Sequence, residues 1–148
     1  MCVVAASVVS GCGNGGTAGA SAGEWRANAR GALTQLLGDV SLTVTGSDSL
    51  ADARRALASD SDAFVLVFAY ADLGGCRSII RNTGAPQPLE RSLEKPCGDL
   101  ELAARTFTQA TTHHEPRALL RAARLAHDAE PALVEGLVVV RRGQVGSP

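Results

Sequence analysis

Three histidines, four cysteines and a run of closely spaced glycines are the residues of this chain best equipped for chemistry. His113, His114 and His127 bracket Glu115–Pro116, and a turn there brings His113 and His127 toward each other, the beginnings of a small metal site. Neighbouring residues on a helix point about 100° apart, so His113 and His114 can share an ion only across a break. Polar residues at an exposed helix junction explain all three more simply, and no metal ligand is assigned. Haem attachment fails because Cys-x-x-Cys-His is missing and Met1 is the only methionine. His-Glu-x-x-His is missing too. The acid pairs Asp60/Asp62 and Asp99/Glu101 fall at expected helix starts, where they oppose the positive end of the helix dipole. Tyr70, Asp72 and Arg77 flank Gly74-Gly75, a place for close helix contact or a small cleft; close contact is the preferred reading. No catalytic residue is assigned, and no cofactor is implied.

The glycines support two readings. Gly11-x-Gly13-x-x-Gly16 follows a valine-rich run and fits the dinucleotide-binding pattern, which would make the chain an enzyme domain holding a nicotinamide or flavin nucleotide. That pattern should open a helix at once, so that the helix N–H groups face the pyrophosphate. Here the linker-like stretch Thr17-Ala-Gly-Ala-Ser-Ala-Gly23 intervenes. The dinucleotide reading ranks second.

The first reading starts from Val9-Ser10-Gly11-Cys12, an aliphatic residue and two small ones before a cysteine. These residues resemble the lipobox of bacterial lipoproteins. The resemblance implies diacylglycerol on the Cys12 thiol and cleavage before it. Residues 1–11 would then be part of a signal peptide, 12–23 a lipidated cysteine with a flexible tether, and 24–148 the folded domain. A signal peptide opens with a basic segment, and the first basic residue here is Arg26, so Met1 is expected to lie inside a longer leader. The partner implied is a membrane, held through the lipid on its extracytoplasmic face. Cys2 then belongs to the leader, and Cys76 and Cys97 remain in the exported part. In an oxidising compartment such a leftover pair forms a disulfide, here closing a loop of about 20 residues. On this reading the domain is a non-enzymatic binding or interaction module.

Composition narrows the rest. A formal net charge of −1 and a pI near 6.3 leave no electrostatic footprint for nucleic acid. The basic residues are all arginine except Lys95, a preference that reflects the genomic bias of a GC-rich bacterium. Trp25, Phe64, Phe68, Tyr70 and Phe107 are the only aromatics, so the core must be built from Leu, Val and closely packed Ala. That favours helices.

Ser21 and Glu24 form a capping box for a helix over 24–37, closed by Gly38. Val40, Leu42 and Val44 alternate with polar residues and predict a short extended segment over 40–45. Ser49 and Asp52 open a second helix through Ala58. The run Ala63 to Ala71 suits a buried strand, giving an α/β alternative with strands near 40–45 and 63–70. Two strands do not make a stable sheet, so the run is assigned to a central helix continuing to Ile80, apolar nearly all round, with Phe64 and Phe68 in the core. Residues 82–96, with Gly84, Pro86, Pro88 and Pro96, predict a loop with a short turn at 89–93. A helix over 99–111 follows, then one from Pro116, kinked or restarted at Pro131 and ending near Arg142. The fold class expected is all-α, a bundle of four or five helices.

Overall fold

Serine caps set where the first helices begin. The computed structural model describes residues 21–143. Ser21 accepts a hydrogen bond from the Glu24 N–H while the Glu24 carboxylate accepts one from the Ser21 N–H at 2.7 Å, a complete capping box. Ser49 caps the Asp52 N–H at 3.1 Å, and Ser59 caps the Asp62 N–H at 3.4 Å. Among the described residues there are six helices, more than the four or five expected because the central helix breaks at Gly74–Gly75: α1 Ala22–Gly46, α2 Leu50–Ala58, α3 Asp60–Gly74, α4 Cys76–Asn82, α5 Gln87–His113 and α6 Pro116–Arg142. The all-α class holds, and among the described residues there is no strand.

The segment expected to be extended over 40–45 is the last third of α1. Gly38 is tolerated inside the helix, with nothing near its missing side chain. Leu36, Val40 and Thr43 extend the buried row of Leu33 and Ala29. The alternation of Val40, Leu42 and Val44 is thus overridden by a longer helical row. Thr43 and Thr45 return their hydroxyl protons to the Val40 and Ser41 carbonyls at 2.7 and 2.8 Å, so neither leaves a polar group stranded in the helix.

Residues 82–96 depart further from expectation. Instead of a loop with one turn, α5 begins at Gln87 with Pro88 in its first turn, where a missing N–H costs nothing. It then runs through Pro96, which is buried. Leu89, Leu93, Cys97 and Leu100 form a row whose burial outweighs the one lost backbone bond. Pro131 likewise lies inside a single α6. Conversely, the central helix expected to reach Ile80 breaks at Gly74–Gly75, where α3 and α4 meet at 59°. The Gly75 N–H there is shared between the Ala71 and Asp72 carbonyls at 3.2 and 3.0 Å.

The long helices form an up-down-up-down ring. Gly46 of α1 meets Leu66 of α3, while Asp39 neighbours Asp72, so these two run antiparallel. Gly74 packs on Ala104 and Tyr70 stacks on Phe107, which sets α5 antiparallel to α3. Gly136 of α6 nests against Leu93 of α5 and Leu33 of α1. Arg26 lies over Gly143 and closes the ring between α1 and α6. The short α2 crosses one end against α6 and α3, and α4 lies along α5. Inside are seven fully buried leucines, among them Leu33, Leu73, Leu100 and Leu133, interleaved with Ala29, Ala103, Ala122 and Ala126. The alanine rows allow close helix approach, as the aromatic-poor composition requires.

Candidate functional site

Three places on this frame combine reactive or unsatisfied groups. The first is the cysteine pair. Cys76 opens α4, and Cys97 follows Pro96 in the first half of α5. Both are buried, with Cα atoms 5.2 Å apart and the sulfurs at disulfide distance. The structure therefore brings the two predicted residues together, across a sequence separation of 21. A shallow cleft of about 220 Å³ beside them is lined by Arg77, Arg81 and Arg91 but also by Glu90 and Glu94, so its charges largely cancel. Cys12 and the glycines Gly11, Gly13 and Gly16 lie outside the described residues.

The second is a carboxyl pair on the seam between α1 and α3. Asp39 has one carboxylate oxygen with no hydrogen-bond partner. Burial, then the charge of Asp72 and a hydrogen bond with it, push the Asp39 carboxyl up to about 6. Gln35 donates from Nε2 to Asp72 at 2.6 Å, steadying one member of the pair. One turn away Tyr70 is fully buried, its ring stacked on Phe107 at 4.2 Å and its hydroxyl unpaired. Burial raises the Tyr70 phenol, and the nearby Thr43 hydroxyl opposes this only weakly because its proton goes to the Val40 carbonyl. Asp39 keeps its proton well above the ordinary carboxylate range. Sequence reading named Asp72 and Tyr70 together but did not join Asp39 to them; its position one helical turn after Gln35 was the only signal.

The third is the outer face of α3. Phe64 and Phe68, expected in the core, are 63% and 59% exposed. The core side of α3 is taken instead by Leu66, Ala69, Tyr70 and Leu73. A helix apolar on every side offers two faces for burial, and the face carrying Tyr70 wins because it stacks on Phe107. The two phenylalanines pack edge to face at 4.8 Å, and Val65 and Val67 beside them are about half exposed. Between them and α5 runs an open groove of about 540 Å³, lined by Val67, Tyr70, Ala71, Gly74, Ala104 and Arg105 among others. Gly74 is a close contact, as its neighbours suggested: an added Cβ would lie 3.2 Å from that of Ala104.

The histidines are not brought together. His127 sits about 16 Å along α6 from its start and pairs with Glu130 at 3.0 Å. His114 takes a left-handed backbone as the cap of α5, its Nδ1–H donating to the Thr111 carbonyl at 2.9 Å. Among the described residues, no three His, Cys, Asp or Glu are grouped to hold a metal ion. Asp60 and Asp62 lie in the first turn of α3, as capping predicts. Asp99 and Glu101 instead lie inside α5, paired with Lys95 and Arg77 at 2.8 and 2.7 Å.

Sequence reasoning also passed over two serine spacings. Gly19-Ala-Ser21-Ala-Gly23 has the Gly-x-Ser-x-Gly form, but Ser21 is occupied as the cap of α1, its hydroxyl accepting from the Glu24 N–H. Ser92-Leu-Glu-Lys95 has the Ser-x-x-Lys form, but Ser92 donates to the Leu89 carbonyl and Lys95 pairs with Asp99, each at 2.8 Å. Among the described residues neither serine is hydrogen-bonded to a base.

No protein-family model, curated protein or solved structure matches this chain. No single described helix is long and apolar enough to cross a membrane.

Proposed function

We propose that the chain is an envelope lipoprotein, held through lipid on Cys12 at the extracytoplasmic face of a bacterial membrane, with a helical domain that binds a partner. The observation that carries this reading is the cysteine pair. Buried cysteines at disulfide distance belong in an oxidising compartment, and export to such a compartment is what the lipobox-like residues before Cys12 imply. The Gly-, Ala- and Thr-rich sequence between Cys12 and the cap at Ser21 has the composition of a tether. The exposed aromatic face of α3 supports an interaction role, since a patch of this kind on a soluble surface marks a binding region.

One experiment tests location and chemistry together. The gene is expressed with its own upstream sequence, cells are labelled with palmitate, and the protein is followed in membrane and soluble fractions. Cys12→Ala is expected to lose the label and leave the membrane fraction. Wild-type protein from the envelope, denatured without reductant, is expected to show no free thiol from Cys76 or Cys97. Undiminished membrane association of Cys12→Ala, or two reactive thiols in envelope protein, contradicts the reading.

A further inference from the structure

The outer face of α3 is the most anomalous surface on the molecule. From Ala63 to Ala71 no residue is charged. Phe64, Val65, Val67 and Phe68 are each 47% exposed or more. The two phenylalanines alone leave roughly 120 Å² each in water, taking about 200 Å² for a whole side chain. Chance does not usually place four large apolar residues side by side in solvent.

We propose that two copies of this chain pair about a two-fold axis through α3, each copy's Phe64 entering the groove between α3 and α5 on the other. This builds on the reading of the domain as an interaction module and not on the lipid anchor. The face is self-complementary, which a two-fold contact requires. It carries a projecting ring at Phe64 and, seven residues or about 10 Å further along, a recess lined by Ala71, Gly74 and Ala104, with Glu101 and Arg105 beside them. With two α3 helices antiparallel and crossing near Phe68, ring meets recess twice. Charge follows the same symmetry. Asp60 lies one turn before Phe64, and exposed Arg105 borders the recess and makes no ion pair among the described residues. Antiparallel pairing sets Asp60 of each copy toward Arg105 of the other.

Other occupants fit less well. Helices that lie in a membrane surface carry basic residues beside the apolar face, whereas this one is bounded by Asp60, Asp62 and Asp72. The patch is small beside a typical interface of about 800 Å² per partner, so the dimer is reversible.

The test is sedimentation velocity on the full chain carrying Cys12→Ala, over a concentration series reaching roughly 100 µM, so that lipid plays no part. A monomer–dimer equilibrium is expected. Phe64→Glu with Phe68→Glu should weaken it at least tenfold with the circular dichroism spectrum unchanged. Asp60→Arg or Arg105→Asp alone should weaken it severalfold, and the two together should restore it. A monomer at every concentration overturns the proposal, as does a dimer indifferent to the double Phe variant. A monomer that pellets with phosphatidylglycerol vesicles, and loses this with Phe64→Glu, overturns it in favour of a bilayer. None of these outcomes bears on Cys12, so this proposal and the lipoprotein reading fail separately.

Discussion

α6 and α3 bury apolar surface by opposite means. In α6 the buried residues Leu119, Ala122, Ala126, Leu133, Leu137 and Val140 form one stripe, while Arg117, Arg121, Arg124 and Asp128 point outward. The sequence of α6 therefore states which side faces the core. In α3 the apolar residues surround the helix, and only the partners it finds decide which side is covered. Leu66, Ala69, Tyr70 and Leu73 turn inward, and Phe64 and Phe68 stay in water. A helix with one apolar stripe is finished within its own chain; a helix apolar on every side has surface left for something else.

The largest expected effect contrasts a leucine from one region with a phenylalanine from the other. Leu133→Ala empties a fully buried position in α6 and should cost 2–5 kcal/mol, on the order of other buried leucine truncations. Phe64→Ala removes a bigger side chain from α3, yet should change the stability of the dilute chain by no more than about 0.5 kcal/mol. Urea unfolding of both variants at low concentration checks the pair. Equal losses would erase the distinction between the two helices.

A smaller effect is expected at the seam that joins α3 to α1. The Asp39 carboxyl titrates near 6 in the folded protein against an ordinary value of 3.8. Between those values the folded state holds more protons than the unfolded chain, so this group's contribution to stability falls as pH rises from about 4 to about 6 and stays low above. Asp39→Asn should therefore stabilise the protein at pH 7.5 by about 1 kcal/mol, solvent screening of a part-exposed pair being allowed for. The gain should vanish near pH 4. Thermal melts at the two pH values measure it; an equal gain at both would show that packing, not charge, is responsible.

The same contrast explains what was legible in the sequence. Helix starts were readable because a capping serine with an acid three residues on is a local device, as at Ser21 and Ser49. The stripes of α5 and α6 were readable because charge marks their outer sides. Helix ends were readable at Ala58 and Arg142 but not elsewhere: Gly38 and Pro96 look like stops, yet tertiary burial of Val40 and Thr43, and of Leu93 and Cys97, carries the helices past them. The loop expected over 82–96 was lost to the same cause. At the candidate site, the pairing of Cys76 with Cys97 followed from counting the cysteines left over once Cys2 and Cys12 are set aside. Asp39 and the exposure of Phe64 did not, since both depend on which helix lies alongside α3, and no pattern within the segment records that.

Hydroxyl-radical footprinting of the full chain tests the central claim most directly, because it reads the two faces of α3 in one measurement. In dilute solution Phe64 and Phe68 should be modified rapidly, while Tyr70 on the inner side of α3 and Phe107 on α5, both buried, stay protected. Raising the concentration should protect Phe64 and Phe68 as well and leave the other two unchanged. Phe64 and Phe68 protected at every dilution, or Tyr70 modified as fast as they are, would contradict the account.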